Sequence, residues 1–241
     1  MRSKHDDMSV KHWETRSEKK WEQFKFNQPY ERGLKRLREE VLAKTNFDPA
    51  TLWQWGTMQA MALIEILKKI EEEFGSAGQR AVFDSLYRVG YDVGRQMTKD
   101  IALPDDITDV EFWSFYATVI NRIAYASLES PKIVNDKLCR FHIDWCPHQD
   151  HYTAFDCRVQ RYFVQGMIDS ATDYLKSQGR NVVWDVTALQ VIPTGRYEEC
   201  YFEIEKGDPA NPRKWTSYSD QLEKKALEMA QKGKTAGDGE K

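Results

Sequence analysis

Cysteine is scarce in this chain, with four residues in 241. Four unevenly spaced thiols in a chain this long do not make the disulfide framework of a small secreted domain. Reduced thiols and a cytoplasmic location are the expectation. Long apolar runs are absent too, so no membrane partner is expected. The opening residues, Met1-Arg-Ser-Lys-His-Asp-Asp, lack the apolar stretch of a secretory signal. Neither sign of charge dominates: 35 Lys and Arg stand against 38 Asp and Glu, for a net charge of −3. With both signs interspersed there is no basic field, and nucleic acid is not an expected partner.

What is present describes a globular chain. Apolar residues make up 41% and charged residues 30%, enough for a sizeable core. Aromatics reach 12%, with eight Trp, which suits an aromatic-lined pocket and a large core equally. Residues 1–30 are polar with scattered aromatics (Trp13, Trp21, Phe24, Phe26, Tyr30) and read as an arm and a candidate dimer contact. A short charged helix over 31–44 follows.

Asp48-Pro49 is a helix start, an N-cap followed by proline at the first position. The helix it opens runs to Phe74 and stops at Gly75. Its inner stripe is read as Trp55, Met58, Ala62, Ile66 and Ile70, with Lys68, Lys69 and Glu71 to Glu73 as a solvated face. A second helix, 76–99, has Val82, Leu86, Val89 and Val93 inward. Gly90 and Gly94 on it permit close approach of another helix. A third, 110–129, is capped by Asp109 and turns Phe112, Phe115, Val119, Ile123 and Ala126 inward. Tyr87, Tyr91, Tyr116 and Tyr125 are core residues or pocket lining.

After Pro131 the period changes to two. Residues 137–145 alternate, with Cys139, Phe141, Ile143 and Trp145 on one face and His142 on the other, which predicts a strand. Asp156 caps a helix to Ser177, ended by Gly179. Residues 181–192 and 197–205 form an antiparallel hairpin about Pro193-Thr-Gly195. The fold class is therefore α+β: a helical N-terminal layer packed with a C-terminal antiparallel sheet-and-helix unit. The boundaries fall at 1–45 (arm and short helix), 46–135 (helical region), 136–207 (α+β small-molecule-binding unit) and 208–241 (C-terminal helix and tail).

One segment concentrates the chemistry: Cys146-Pro-His148-Gln-Asp150-His151-Tyr-Thr-Ala-Phe-Asp156-Cys157. Three readings of it stand. Cys146, His148, His151 and Cys157 have ligand types suited to zinc, though compressed in spacing. Alternatively, Cys146 or Cys157 is a thiolate nucleophile activated by His148 or His151, with Asp150 orienting the imidazole. Cys157, at a helix start, gains from the helix dipole. Third, the thiols simply pack, as Cys139 does on a buried strand face and Cys200 on another. Arg158 and Arg161 follow Cys157 and suit either a substrate carboxylate or a surface ion pair.

Three pieces of the C-terminal half resemble the L-2-amino-thiazoline-4-carboxylic acid hydrolase-like family, itself similar to 4-vinyl reductase-type small-molecule-binding domains. They are the strand running into Cys146-Pro147, the helix opened by Cys157 with Phe163 and Gly166, and the strand Gly195-Arg-Tyr-Glu-Glu-Cys200-Tyr-Phe202-Glu-Ile204. The resemblance covers residues 50–205. It implies a hydrolase, or related lyase, acting on a small cyclic nitrogen-containing metabolite in a pocket between helices and sheet, with Cys146, Cys157 and Cys200 converging at one end of the sheet. The loop His148-Gln-Asp150-His151 is this chain's departure from that pattern. The expected site is Cys146, His148, Asp150, His151 and Cys157 for catalysis, with Arg161 and Cys200 for substrate binding. No cofactor other than zinc is foreseen, and the partners are a small-molecule substrate and a second copy of the chain. An isomerase or hydratase working by acid–base chemistry, and a non-catalytic sensor, are the alternatives.

Overall fold

The computed structural model describes residues 20, 23–44, 46–125, 131–143, 146, 148, 151–153, 155–180, 183–190, 199–208, 210 and 214–237. Helix α1 (Glu31–Arg36) continues into a π-helical turn, Leu37–Leu42, and buries no residue. Asp48 Oδ1 then accepts from the Ala50 amide at 3.0 Å, the N-cap that its sequence position predicts. It opens α2 (Ala50–Thr98), which breaks at Gly75 with φ 59° and ψ −140°. A residue with a side chain resists that φ, so the stop falls where glycine stands. Helix α3 (Asp109–Ala124) is capped by Thr108 and not by Asp109: Thr108 and Glu111 form a reciprocal capping box.

Strands β1 (Lys132–Asn135), β2 (Leu138–Ile143), β3 (Trp184–Gln190) and β4 (Cys200–Lys206) make one sheet in the order β1-β2-β4-β3. All pairs in it are antiparallel. Cys139, Phe141 and Ile143 are buried on alternate positions of β2, as its alternation predicts. β1 is an addition to the expected sheet. The β3–β4 hairpin pairs as expected, while its turn, Pro193 to Gly195, lies outside the described residues. Helix α4 (Arg158–Ser177) ends before Gly179 at φ 77°. Helix α5 (Lys214–Gly237) is longer than its sequence pattern suggests. The protein is thus α+β, helices with a four-stranded antiparallel sheet. Among the described residues no helix is long and apolar enough to cross a membrane.

The chain forms two units, and these are not consecutive spans. Unit 1 draws on Met1–Asn27, Thr98–Gln149 and Thr172–Thr216; unit 2 draws on Gln28–Met97, Asp150–Ala171 and Ser217–Lys241. Unit 1 holds the sheet and α3. Its core is aromatic: Phe112, Trp113, Phe115 and Tyr116 are fully buried, and the Trp113 and Trp184 rings lie 6.4 Å apart. Phe26 meets both Phe112 and Tyr116 edge-on, so Phe24 and Phe26 of the arm are buried in this core and do not offer a free contact surface.

Unit 2 is helical. Its core gathers Ala60, Ile64, Leu67, Val82, Tyr152, Val159 and Tyr162. Gly90 of α2 and Gly166 of α4 mark a close helix crossing. A Cβ on Gly90 would lie 1.9 Å from the Phe163 carbonyl oxygen, and one on Gly166 would lie 2.1 Å from that of Tyr87. The buried stripe of α2 differs from the expected one. Trp55, Met58 and Ile66 are 61%, 60% and 52% exposed, whereas Ile64 and Leu67 are wholly buried. Val89 and Ile123 are exposed as well. The reason lies in composition: no charged residue occurs from Ala50 to Ile64, so α2 offers two apolar stripes there. Periodicity alone does not choose between them.

Candidate functional site

Unit 1 brings together three of the expected site residues. β2 ends at Ile143, whose partner across the ladder is Cys200, the first residue of β4. Cys146 lies three residues past that strand end. Its thiol is half-buried, and Sγ lies 3.5 Å from Nδ1 of buried His148. Burial pushes the Cys146 thiol up to about 11; a backbone hydrogen bond from His148 opposes this, and the nearby Cys200 sulfur adds to it. Cys200 is itself buried. At the same strand end, His142 Nε2 lies 3.9 Å from a Glu199 carboxylate oxygen. The geometry is a thiol and an imidazole within proton-transfer reach, with the resting sulfur protonated.

The remaining members of the expected set belong to unit 2 or lie outside the described residues. His151 is exposed. Asp150 lies outside the described residues. Cys157 belongs to unit 2, where it is half-buried and packs against the core cluster of Leu67, Val159 and Tyr162. None of the four cysteines is paired in a disulfide. Among the described residues no group of three or more His, Cys, Asp and Glu side chains is placed to hold a metal ion. Of the expected zinc set, Cys146 and His148 belong to unit 1 and His151 and Cys157 to unit 2.

Unit 2 contains a polar cluster that the sequence reading did not foresee. Arg158 and Glu71 are both buried and paired through two contacts, Nη2 to Oε2 and Nε to Oε1, the second at 3.3 Å. Arg158 Nη1 donates to the Phe155 carbonyl at 2.7 Å. Gln79 Nε2 donates to Glu71 Oε1 at 2.6 Å and to the Glu223 carbonyl at 3.1 Å. The Glu223 carboxyl lies beside the Tyr162 phenol and near Arg80, and its pKa is raised, chiefly by burial. Burial likewise pushes the Tyr162 phenol up, with the Glu223 charge adding to it. Arg161 is buried with its guanidinium 4.0 Å over the Tyr218 ring. Neither arginine is the surface residue that its type predicts.

Over this cluster opens a cavity of about 430 Å³, with Lys68, Glu71, Asp156, Arg158, Phe155 and Met229 among its walls. Asp156 is buried and tied to the Thr153 amide and hydroxyl at 2.8 and 2.9 Å and to Lys68 at 3.5 Å. This is a capping arrangement for the turn that leads into α4. Glu71 was readable in principle. It continues the Ala60, Ile64, Leu67 stripe at helical spacing, which places a carboxylate on a buried face and calls for a cation.

No family model matches the chain. The chain is 45% identical over 217 residues to a protein of Archaeoglobus fulgidus named "Uncharacterized protein". The alignment covers 90% of this chain and 95% of that protein.

Proposed function

Because the chain belongs to one family with the Archaeoglobus fulgidus protein, and that kinship carries no activity with it, we propose a function from the site itself: a thiol-dependent hydrolase of small, cyclic, nitrogen-containing metabolites. The observation that carries this reading is the Cys146–His148 contact of 3.5 Å. It is supported by the resemblance of the strand-Cys-Pro, helix-Cys and hairpin-Cys segments to the thiazoline-carboxylate hydrolase-like family. We assign the protein to the cytoplasm, where its thiols stay reduced.

The step follows from the state of the thiol. A sulfur held protonated to about 11 is no nucleophile at neutral pH until a base takes its proton. His148 Nδ1 takes it as Cys146 Sγ bonds to the electrophilic ring carbon. The ring carbon–heteroatom bond then breaks, and the departing heteroatom receives the proton from His148. Water attacks the sulfur-bound carbon and gives a proton to His148; the carbon–Sγ bond breaks, and His148 returns that proton to the Cys146 sulfur. One water is consumed and the ring is opened.

The test is turnover of 2-amino-thiazoline-4-carboxylate and related cyclic amidines. Cys146→Ala abolishes turnover and His148→Asn lowers kcat by roughly 100-fold or more. Labelling of Cys146 by iodoacetamide climbs steadily through pH 9 and 10, because its pKa is raised to about 11. Undiminished turnover in Cys146→Ala, or a labelling plateau near pH 7, refutes the assignment.

A second reading, a non-catalytic small-molecule binding module, is favoured by the 430 Å³ cavity of unit 2, a size typical of ligand pockets. In that case wild-type protein turns over none of these rings, and a ligand that raises its Tm loses the effect in Met229→Glu.

A further inference from the structure

Helix α2 carries an exposed apolar face. Trp55, Met58 and Ile66 are more than half exposed, and Leu52 is 42% exposed at the edge of the same face. Ala62, between Met58 and Ile66, is exposed as well. In a chain that is 30% charged, the stretch from Ala50 to Ile64 has no charge on any side of the helix. Its exposed polar residues are the neutral Thr51, Gln54 and Gln59. Depletion of charge together with enrichment in Trp and Met is the composition of an interface core rather than of a solvated surface.

The geometry points to a second copy of this chain as the occupant, seated on α2 in antiparallel orientation about a two-fold axis near Met58 and Gln59. Two arguments select it. The first is area. With full side chains of these sizes at roughly 150–250 Å², the exposed parts of Leu52, Trp55, Met58 and Ile66 amount to roughly 450 Å² of apolar surface. A standard interface buries about 800 Å² per partner, of which roughly 57% is apolar. One face thus supplies about the apolar share that one partner contributes, and a two-fold pair of identical faces supplies both.

The second argument is complementarity. About a centre between Met58 and Gln59, antiparallel pairing sets each Trp55 against the other copy's Ala62, a large side chain over a small one. Glu65 of each copy then lies beside Leu52 of the other, clear of its own counterpart. A parallel pairing would stack Trp55 on Trp55 and bring Glu65 to Glu65 and Lys69 to Lys69, which like-charge repulsion disfavours. Lys68, Lys69 and Glu73, the exposed charges beyond Ile66, fall outside the antiparallel contact and stay solvated.

Sedimentation of the full chain across a concentration series tests this. The wild type sediments as twice the 28.3 kDa chain. Trp55→Lys raises the dissociation constant roughly 30-fold or more, as loss of a central aromatic does. Phe74→Lys changes a residue that is 70% exposed but off this face and leaves the dimer intact. Met58→Cys forms an intermolecular disulfide under mild oxidation, because residues near the two-fold axis meet their own counterparts. Leu52→Cys does not, since antiparallel pairing separates the two copies of that position. Circular dichroism melts confirm that each variant is folded, and the Met58→Cys and Leu52→Cys pair, which adds no charge, decides the matter if Trp55→Lys fails to fold. A wild-type chain that stays monomeric at hundreds of micromolar, the result if the face serves a different protein, overturns the proposal. So does a Trp55→Lys dimer of unchanged affinity, or cross-linking through Leu52→Cys.

Discussion

A buried ion pair between Glu71 and Arg158 is the most consequential residue-level feature of unit 2, and the sequence conceals it. Glu71 opens the run Glu71-Glu72-Glu73, which reads as a solvated face, yet only its first member is buried. The distinction is positional: Glu71 falls on the stripe of Ile64 and Leu67, and its two neighbours rotate away from it. Removing one partner leaves the other charge buried without compensation, which typically costs about 3–5 kcal/mol. Glu71→Ala therefore lowers Tm by roughly 6–20 °C, at about 2–4 °C per kcal/mol for a chain of this size. Replacing both partners together, Glu71→Met with Arg158→Met, recovers most of that loss, since a packed apolar pair is often neutral relative to an ion pair. Thermal melts of the two single variants and the double variant measure the coupling. A Tm for Glu71→Ala within 2 °C of wild type would sink the claim that this pair holds α2 to α4.

At the scale of elements, most of the fold was legible. The Asp48 cap, the Gly75 break, the alternation of β2 and the β3–β4 hairpin each rest on a local rule with one solution, and each stands where that rule places it. The inner stripe of α2 had two solutions, because an uncharged helix segment has no polar face to orient it. Tertiary contacts break the tie: Tyr152 Oη donates to the Ala60 carbonyl at 2.8 Å, and Glu71 finds Arg158. The candidate site was partly legible for a related reason. The Cys146-x-His148 spacing is local and survives as a contact, whereas the packing of Cys157 on the core of unit 2 is a tertiary placement that spacing does not encode. Helix packing gives a test in which one substitution has opposite signs. Gly90→Ala drives a methyl into the Phe163 backbone, which does not yield as a flexible side chain does. Its cost, about 1–3 kcal/mol or more, exceeds the gain of about 1 kcal/mol that alanine brings to a helix interior. Gly33→Ala, with nothing within 4 Å of the new methyl, keeps that gain. Denaturant melts should move the two midpoints in opposite directions; a stabilised Gly90→Ala would contradict the close crossing.

At the scale of the molecule, the path of the chain constrains what can fold alone. The consecutive spans read from the change of hydrophobic period, 46–135 and 136–207, each draw on both units, because each unit collects three separated stretches. Completing the aromatic core of unit 1 requires Phe26 from the first stretch, Phe112 and Trp113 from the second and Trp184 from the third. Completing unit 2 requires Glu71 from its first stretch, Arg158 from its second and Glu223 from its third. A fragment ending at residue 125 therefore carries Phe112 without Trp184 and Glu71 without Arg158. Its buried carboxylate has no cation, and its aromatic cluster has no sheet to lie on. The complementary fragment has the sheet and lacks α2 and α3. Expressed separately, residues 1–125 and 126–241 give no cooperative melt by circular dichroism. Mixed or co-expressed, they regain one, because the contacts that complete each unit are non-covalent. A sharp two-state transition in either fragment alone would mean that a unit closes within one half of the chain, and would contradict the interleaved arrangement.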